Sequence, residues 1–331
     1  MKLPSEFISL SQEIGSQPLL VQGAGGNTSV KIGGRMWIKA SGTELAEAHE
    51  RNIFVAVDPL KAKQELEGVG DGSCRAALID PDGGLRPSIE TTFHAMFDHK
   101  FVFHFHSVAT ICHAITEEGR VAMVEKLSGL RWVSVPYRKP GIPLTKAIRE
   151  SVGTRDVQVI VLNNHGIIIV GNTIAEIRDL IDNVEQRLRL PLLGESKGND
   201  QGGDRLEEWQ YVPGVSTLAT NPVMFQRAVG GTYYPDHVVF LGPAMPSLSF
   251  EELARLKSEE SPVPAILVEG KGVYLKAEAK PAQRAMLDCL YQVLARIPAD
   301  WSLHPIGEGA EAELLNWDAE KYRQSLARRN L

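Results

Sequence analysis

The feature that most constrains this chain is the stretch Ser88-Ile89-Glu90-Thr91-Thr92-Phe93-His94, which runs on into Phe101-Val102-Phe103-His104-Phe105-His106-Ser107. Phe101 to His106 is apolar and aromatic and is bounded by polar residues, the pattern of a buried strand. Side chains on a strand alternate between its faces, so His104 and His106 point the same way. Two imidazoles on one buried surface either hydrogen-bond into the core or converge on a metal ion. Glu90 lies upstream on a segment that reads as helix, with Pro87 and Ser88 as its start signal. A helix antiparallel to the strand would return the Glu90 carboxylate over the histidine pair. His94, four residues further on, shares that helical face, where it packs, supports the ligands or serves as an alternative ligand.

A third imidazole strengthens the metal reading. Val157 to Leu162 is a β-branched run, followed by Asn163-Asn164-His165-Gly166 and a second apolar run, Ile167 to Val170. His165 falls at a strand break, where the glycine lets the backbone bend and a ligand approach. It is either a plain turn residue or a third ligand. Three histidines with one carboxylate suit Zn²⁺ or another divalent ion.

Upstream, Gln22-Gly23-Ala24-Gly25-Gly26-Asn27 invites comparison with a dinucleotide fingerprint, but Thr28 occupies the third glycine position. The residues after it, with Gly33-Gly34 leading into Met36-Trp37-Ile38-Lys39, look like a β-hairpin where that fingerprint needs a helix. These glycines and Asn27 can still present backbone N–H groups to a phosphate, or simply form a tight turn.

Gly26-Asn27-Thr28-Ser29, Ala40-Ser41-Gly42, Pro87-Ser88-Ile89-Glu90 and the paired histidines with the later Asn-His-Gly occur in that order. Together they make roughly residues 20 to 190 resemble the class II aldolase/adducin family. The resemblance implies an α/β chain with a three-layer α/β/α domain. It implies a zinc-dependent aldolase that cleaves a phosphorylated ketose through a metal-stabilised enediolate. Glu90, His104, His106 and His165 would be the metal residues, with Glu90 also catalytic. Gly26, Asn27, Ser41, Gly42 and Ser88 would bind the substrate phosphate, and the chain would form a homo-oligomer, by the family's habit a tetramer. Many family members carry a serine directly before the glutamate; here that position is Ile89, so one phosphate hydroxyl is missing. Decarboxylation or dehydration of a sugar-acid or thio-sugar phosphate on the same site is an alternative. A non-catalytic adducin-like scaffold is another, although adducin-type members lack the histidines that this chain keeps.

The rest of the chain is read around that site. The 331 residues can hold one large or two ordinary domains, and 43% hydrophobic with 23% charged residues is a globular composition. A net charge of −6 argues against nucleic-acid partners, and an anionic substrate would need local donors. No apolar run reaches membrane length, the first residues do not form a signal peptide, and Cys74, Cys112 and Cys289 are scattered, so a cytoplasmic location is expected. Glu6 to Gly15 reads as a helix, Ile53 to Val57 as a strand, and residues 61–86 as a variable surface segment. Helices are expected from Ser107 to Ala114, Val121 to Leu127 and Thr173 to Leu190, and Arg131 to Tyr137 reads as a strand. Arg138 and Lys139 form a cationic pair that suits either a solvated loop or an anion.

Leu193 to Asp204 reads as a linker. It separates a metal-dependent catalytic domain over residues 1–195 from a smaller α/β extension over 205–331. In the extension Val238 to Leu241, Ala265 to Val268 and Gly272 to Lys276 read as strands, and Glu251 to Glu259 and Gln283 to Arg296 as helices. Asp236-His237 reads as a strand entry or a functional pair. Tyr233 to Phe240 and Leu314 to Tyr322 resemble the end of the aldolase half of bacterial rhamnulose-phosphate aldolase/lactaldehyde dehydrogenase fusion proteins. Since the chain stops at Leu331, hydride transfer is not expected of it.

Overall fold

The structure is a computed structural model that describes residues 2–193 and 206–317. Its centre is a sheet of seven strands: β1 (Asn27–Ile32), β2 (Arg35–Lys39), β3 (Phe54–Val57), β4 (Phe101–Phe105), β5 (Trp132–Val135), β6 (Val159–Leu162) and β7 (Gly166–Gly171). They lie in the order β3-β2-β1-β4-β7-β6-β5, antiparallel throughout except for the β5–β6 pair. Seven helices accompany the sheet: α1 (Ser5–Gly15), α2 (Pro59–Leu66), α3 (Thr91–Met96), α4 (Val108–Ala114), α5 (Glu117–Lys126), α6 (Ile142–Val152) and α7 (Ile174–Leu188).

Strand alternation builds the layers. On β4, Phe101, Phe103 and Phe105 join one apolar cluster with Phe7, Leu10 and Ile14 of α1 and Ile177, Ile181 and Val184 of α7. Phe7 stacks on Phe101 at 6.1 Å and meets Phe103 edge-on at 5.8 Å. Each ring buried in this way stabilises the fold by roughly 1.5–3 kcal/mol. Val102, between those phenylalanines, joins the opposite cluster with Phe93, Leu144 and Ile148 of α3 and α6. The α/β/α architecture therefore follows from the period of two in β4. In α7 the buried residues Ile177, Ile181, Val184 and Leu188 recur at helical spacing, and the Thr173 hydroxyl caps the start by accepting from Glu176 N–H.

Residues 206–317 add a three-stranded antiparallel sheet, β8 (Trp209–Tyr211), β9 (Ala265–Val268) and β10 (Gly272–Lys276), in the order β8-β10-β9. The helices here are α8 (Thr217–Thr220), α9 (Pro222–Val229), α10 (Pro235–Leu241), α11 (Phe250–Arg255), α12 (Pro281–Leu294) and α13 (Glu308–Leu315). Val108, Ile111 and Cys112 on α4, with Ile115 just after it, form one apolar cluster with Tyr233, Tyr234, Leu287 and Leu290. The turn between β6 and β7 is tied to the same region, because the Asn164 amide donates to the carbonyls of Tyr233 (3.0 Å) and His304 (2.7 Å).

Three sequence expectations are corrected. Val238 to Leu241 belongs to helix α10, not to a strand. Every residue of α10 is buried, so the segment is apolar on all sides and its pattern cannot distinguish the two. Glu90 stands at the N-terminal boundary of helix α3 rather than inside it: Pro87 is bridged to Ala40 and Ile89–Glu90 form a turn, so the helix begins at Thr91. Residues 61–86 are not all surface: Ala62, Cys74 and Ala77 are buried against Met36, Ile38 and Val57. The expected linker lies almost wholly outside the described residues, as does the Leu314 to Tyr322 segment beyond residue 317. Among the described residues no helix is long and apolar enough to cross a membrane.

Candidate metal centre

Four separate pieces of chain deliver the candidate site. β4 supplies His104 and continues to His106, on the Val102 side of the sheet. The β6–β7 turn supplies His165; Asn164 takes the left-handed φ of 56° that the turn needs, a conformation asparagine tolerates. Gly166 follows because a Cβ there would lie 2.5 Å from the Phe105 carbonyl oxygen. Gly166→Ala must push β7 away from β4, at about 1–3 kcal/mol for such overpacking. We expect a clear drop in the thermal midpoint, and an unchanged midpoint would contradict the close approach.

The three imidazoles form a nearly equilateral group, with ring centres 5.1 Å (His104–His106), 5.0 Å (His104–His165) and 5.1 Å (His106–His165) apart. One nitrogen of each lies within 4.8 Å of the others. Glu90 closes the fourth side, with Oε2 3.4 Å from His104 Nε2 and Oε1 3.7 Å from His165 Nε2. All four residues are at most 6% exposed, so water screens them little. Burial lowers the His104 pKa, with the Glu90 charge opposing that shift, which favours the neutral ring that a metal ligand needs. Its Nδ1 donates to the Ile167 carbonyl (2.9 Å), which leaves Nε2 bare toward Glu90.

His104 Nε2 and Glu90 Oε1 are buried without a hydrogen-bond partner. Leaving such a group unsatisfied costs roughly 1–3 kcal/mol. A divalent cation satisfies both at once, and three histidines with a carboxylate are a fitting donor set for zinc.

Asn27 is the neighbour that orients Glu90. Its amide donates to Glu90 Oε2 at 2.8 Å, and its carbonyl oxygen accepts from His94 Nε2. His94 Nδ1 then accepts from the Ser29 hydroxyl at 2.8 Å. Burial holds the His94 pKa well below its usual value, with the positive charge of Lys31 adding to this, so the ring stays neutral. His94 packs on Phe93 and also anchors this chain of hydrogen bonds.

The candidate phosphate residues sit at the same place. Gly26, Asn27, Ser41, Gly42 and Ser88 line one slot with Glu90, His106 and His165. The slot holds about 30 Å³. A cavity of about 870 Å³ shares Ser41, Ile89 and Pro140 with it and is also lined by Arg75, Arg86, Lys139 and Trp317. Of the cationic pair, Lys139 lies 4.7 Å over the Trp317 ring within this cavity, whereas Arg138 donates to the Tyr137 carbonyl at an exposed position.

Sequence reasoning missed Lys39 in the slot and left Asp236 between a strand entry and a functional pair. Lys39 is buried and donates to the Ala24 carbonyl (2.9 Å) and the Thr43 carbonyl (2.5 Å), joining two of the loops. A lysine ending the apolar run of β2 was its only signal. Asp236, in the first turn of α10, lies 3.2 Å from His106 Nδ1.

The class II aldolase and adducin N-terminal domain family matches residues 5–192. The chain belongs to that family. It is 32% identical over 183 residues to the uncharacterized oxidoreductase YuxG of Bacillus subtilis, a match covering 51% of this chain and 26% of that protein. The chain thus spans about a quarter of that relative's length. It is 25% identical over 198 residues to the L-fuculose phosphate aldolase of Methanocaldococcus jannaschii, covering 57% of this chain and 94% of the relative. Among solved structures, the N-terminal class II aldolase domain of a conserved Thermoplasma acidophilum protein is 27% identical, with a TM-score of 0.49 over 57% of this chain and 94% of that one.

Proposed function

We propose that this chain is an aldehyde-lyase, an aldolase dependent on zinc or another divalent ion, that cleaves a phosphorylated ketose. The observation that carries the reading is the convergence of the three histidines with Glu90, where His104 Nε2 and Glu90 Oε1 are buried without a hydrogen-bond partner. Membership of the family and the likeness to an L-fuculose phosphate aldolase support it. When bound, the ion supplies Lewis-acid polarisation of the substrate carbonyl. The three histidines hold it. Glu90 moves the proton: Asn27 anchors Oε2 and leaves Oε1, which has no hydrogen-bond partner, to exchange it. The buried position of these groups excludes water from the reacting atoms.

The phosphate would be bound by the N–H groups of Gly26 and Gly42, the hydroxyls of Ser41 and Ser88, and the second amide N–H of Asn27, beside the Lys39 charge. These directed bonds must do the work, because the net charge of −6 gives an anion no long-range attraction. Asn27 then serves two ends, and Asn27→Ala separates them. We expect kcat/KM to fall on a phosphorylated substrate and on its unphosphorylated analogue, with the former losing about tenfold more, the value of one bond to a charged group. Equal losses would restrict Asn27 to holding Glu90.

On the same reading residues 1–195 are the metal-dependent catalytic domain and 205–331 an α/β extension. The chain works as a homo-oligomer, a tetramer, on a small-molecule sugar phosphate in the cytoplasm, where the buried free thiols of Cys74, Cys112 and Cys289 remain reduced. Product analysis tests the activity. Incubation of the zinc-loaded protein with ketose 1-phosphates should yield a triose phosphate and an aldehyde. Loss of carbon dioxide or water from a sugar-acid or thio-sugar phosphate, with no cleavage of any ketose phosphate, would overturn it.

A further inference from the structure

We propose that Asp236 is a positioning residue of the metal centre, holding the His106 ring by its Nδ1 so that Nε2 is presented to the ion. The inference rests on the metal reading above. His104 shows what such a device does. Its Nδ1 can only donate to the Ile167 carbonyl, and that contact fixes both the tautomer and the ring plane. His106 has left the β4 ladder, which ends at Phe105. Asp236 Oδ2 stands instead 3.2 Å from its Nδ1, an ion-pair contact that a small turn of the ring would convert into a charge-assisted hydrogen bond. A carboxylate accepts where the backbone carbonyl would, and its charge also makes the ring a stronger donor to a cation.

The surroundings are built around this pair. His106 is 6% and Asp236 2% exposed, so the interaction is little weakened by solvent. Gly25 packs directly over it: a Cβ there would lie 3.0 Å from His106 Nδ1 and 3.2 Å from Asp236 Oδ2. The helix that carries Asp236 is anchored from the metal side, since Asn164, the neighbour of His165, donates to the Tyr233 carbonyl just before α10. Asp236 faces His106, whereas Glu90 faces His104 and His165. It also lies beyond residues 5–192, so the C-terminal part of the chain completes a centre whose ligands all come from the family domain.

The test is zinc affinity of the full chain by chelator competition, with circular dichroism of the metal-free proteins as the control for folding. Asp236→Ala should lower the affinity by about ten- to a hundredfold, the usual consequence of removing such a partner. Asp236→Asn keeps an accepting oxygen and a similar shape, and should fall between the two. In a His106→Ala background Asp236→Ala should cause no further loss. Wild-type affinity in both Asp236 variants, or an undiminished loss in the His106→Ala background, would overturn the proposal while the metal site stands. Failure of the wild-type chain to bind zinc would overturn both.

Discussion

The wild-type chain should bind one zinc ion and the His104→Ala/His106→Ala variant none, and turnover should vanish with the metal. The reason is geometric. Each imidazole supplies one of the nitrogens that cluster within 4.8 Å, and removing two leaves His165 and Glu90, too few donors for a closed site. Burial keeps His104 neutral, so the wild-type site need not expel a proton from that ring to take up the ion. A second consequence can be measured without any substrate. A ligand that binds only the folded state at a thousand times its Kd stabilises it by about 4.1 kcal/mol. Zinc should therefore raise the thermal midpoint of the wild type and leave that of the double variant unmoved. Equal zinc content in the two proteins, by elemental analysis after reconstitution, would place the ion elsewhere.

Glu90→Gln should preserve the fold and the bound zinc, yet reduce turnover by about 10²- to 10⁴-fold, the usual contribution of a positioned proton carrier. Glutamine matches the shape of glutamate and can still accept the Asn27 amide bond, but it cannot take up a proton at neutral pH. The surroundings make the loss hard to rescue. Oε2 is engaged at 2.8 Å, and no other described carboxylate belongs to the hydrogen-bond chain of Asn27, His94 and Ser29. Zinc content and kcat should be measured on the same preparation. Near-normal turnover would remove Glu90 from the chemistry, and loss of zinc in step with activity would make it chiefly a ligand.

Local pattern determined a definite part of this protein. The apolar alternation of Phe101 to His106 requires His104 and His106 to share a face, and the glycine after His165 marks a break in an otherwise continuous β-branched run; both depend only on backbone geometry. The stripe of α7 and its Thr173 cap are legible for the same reason. What the sequence could not decide depends on contacts between residues far apart along the chain. Val238 to Leu241 reads equally as strand or helix because burial on all sides erases periodicity. Asn27 presents itself as a loop residue, and only the approach of α3 to β1 places its amide between Glu90 and His94. The local marks of Lys39 and Asp236, a lysine closing an apolar run and an Asp-His pair, do not say which site they line. Asp236 reaches His106 because α4 packs its outer apolar side against the C-terminal helices, and that burial, not any motif, brings the carboxylate to the histidine.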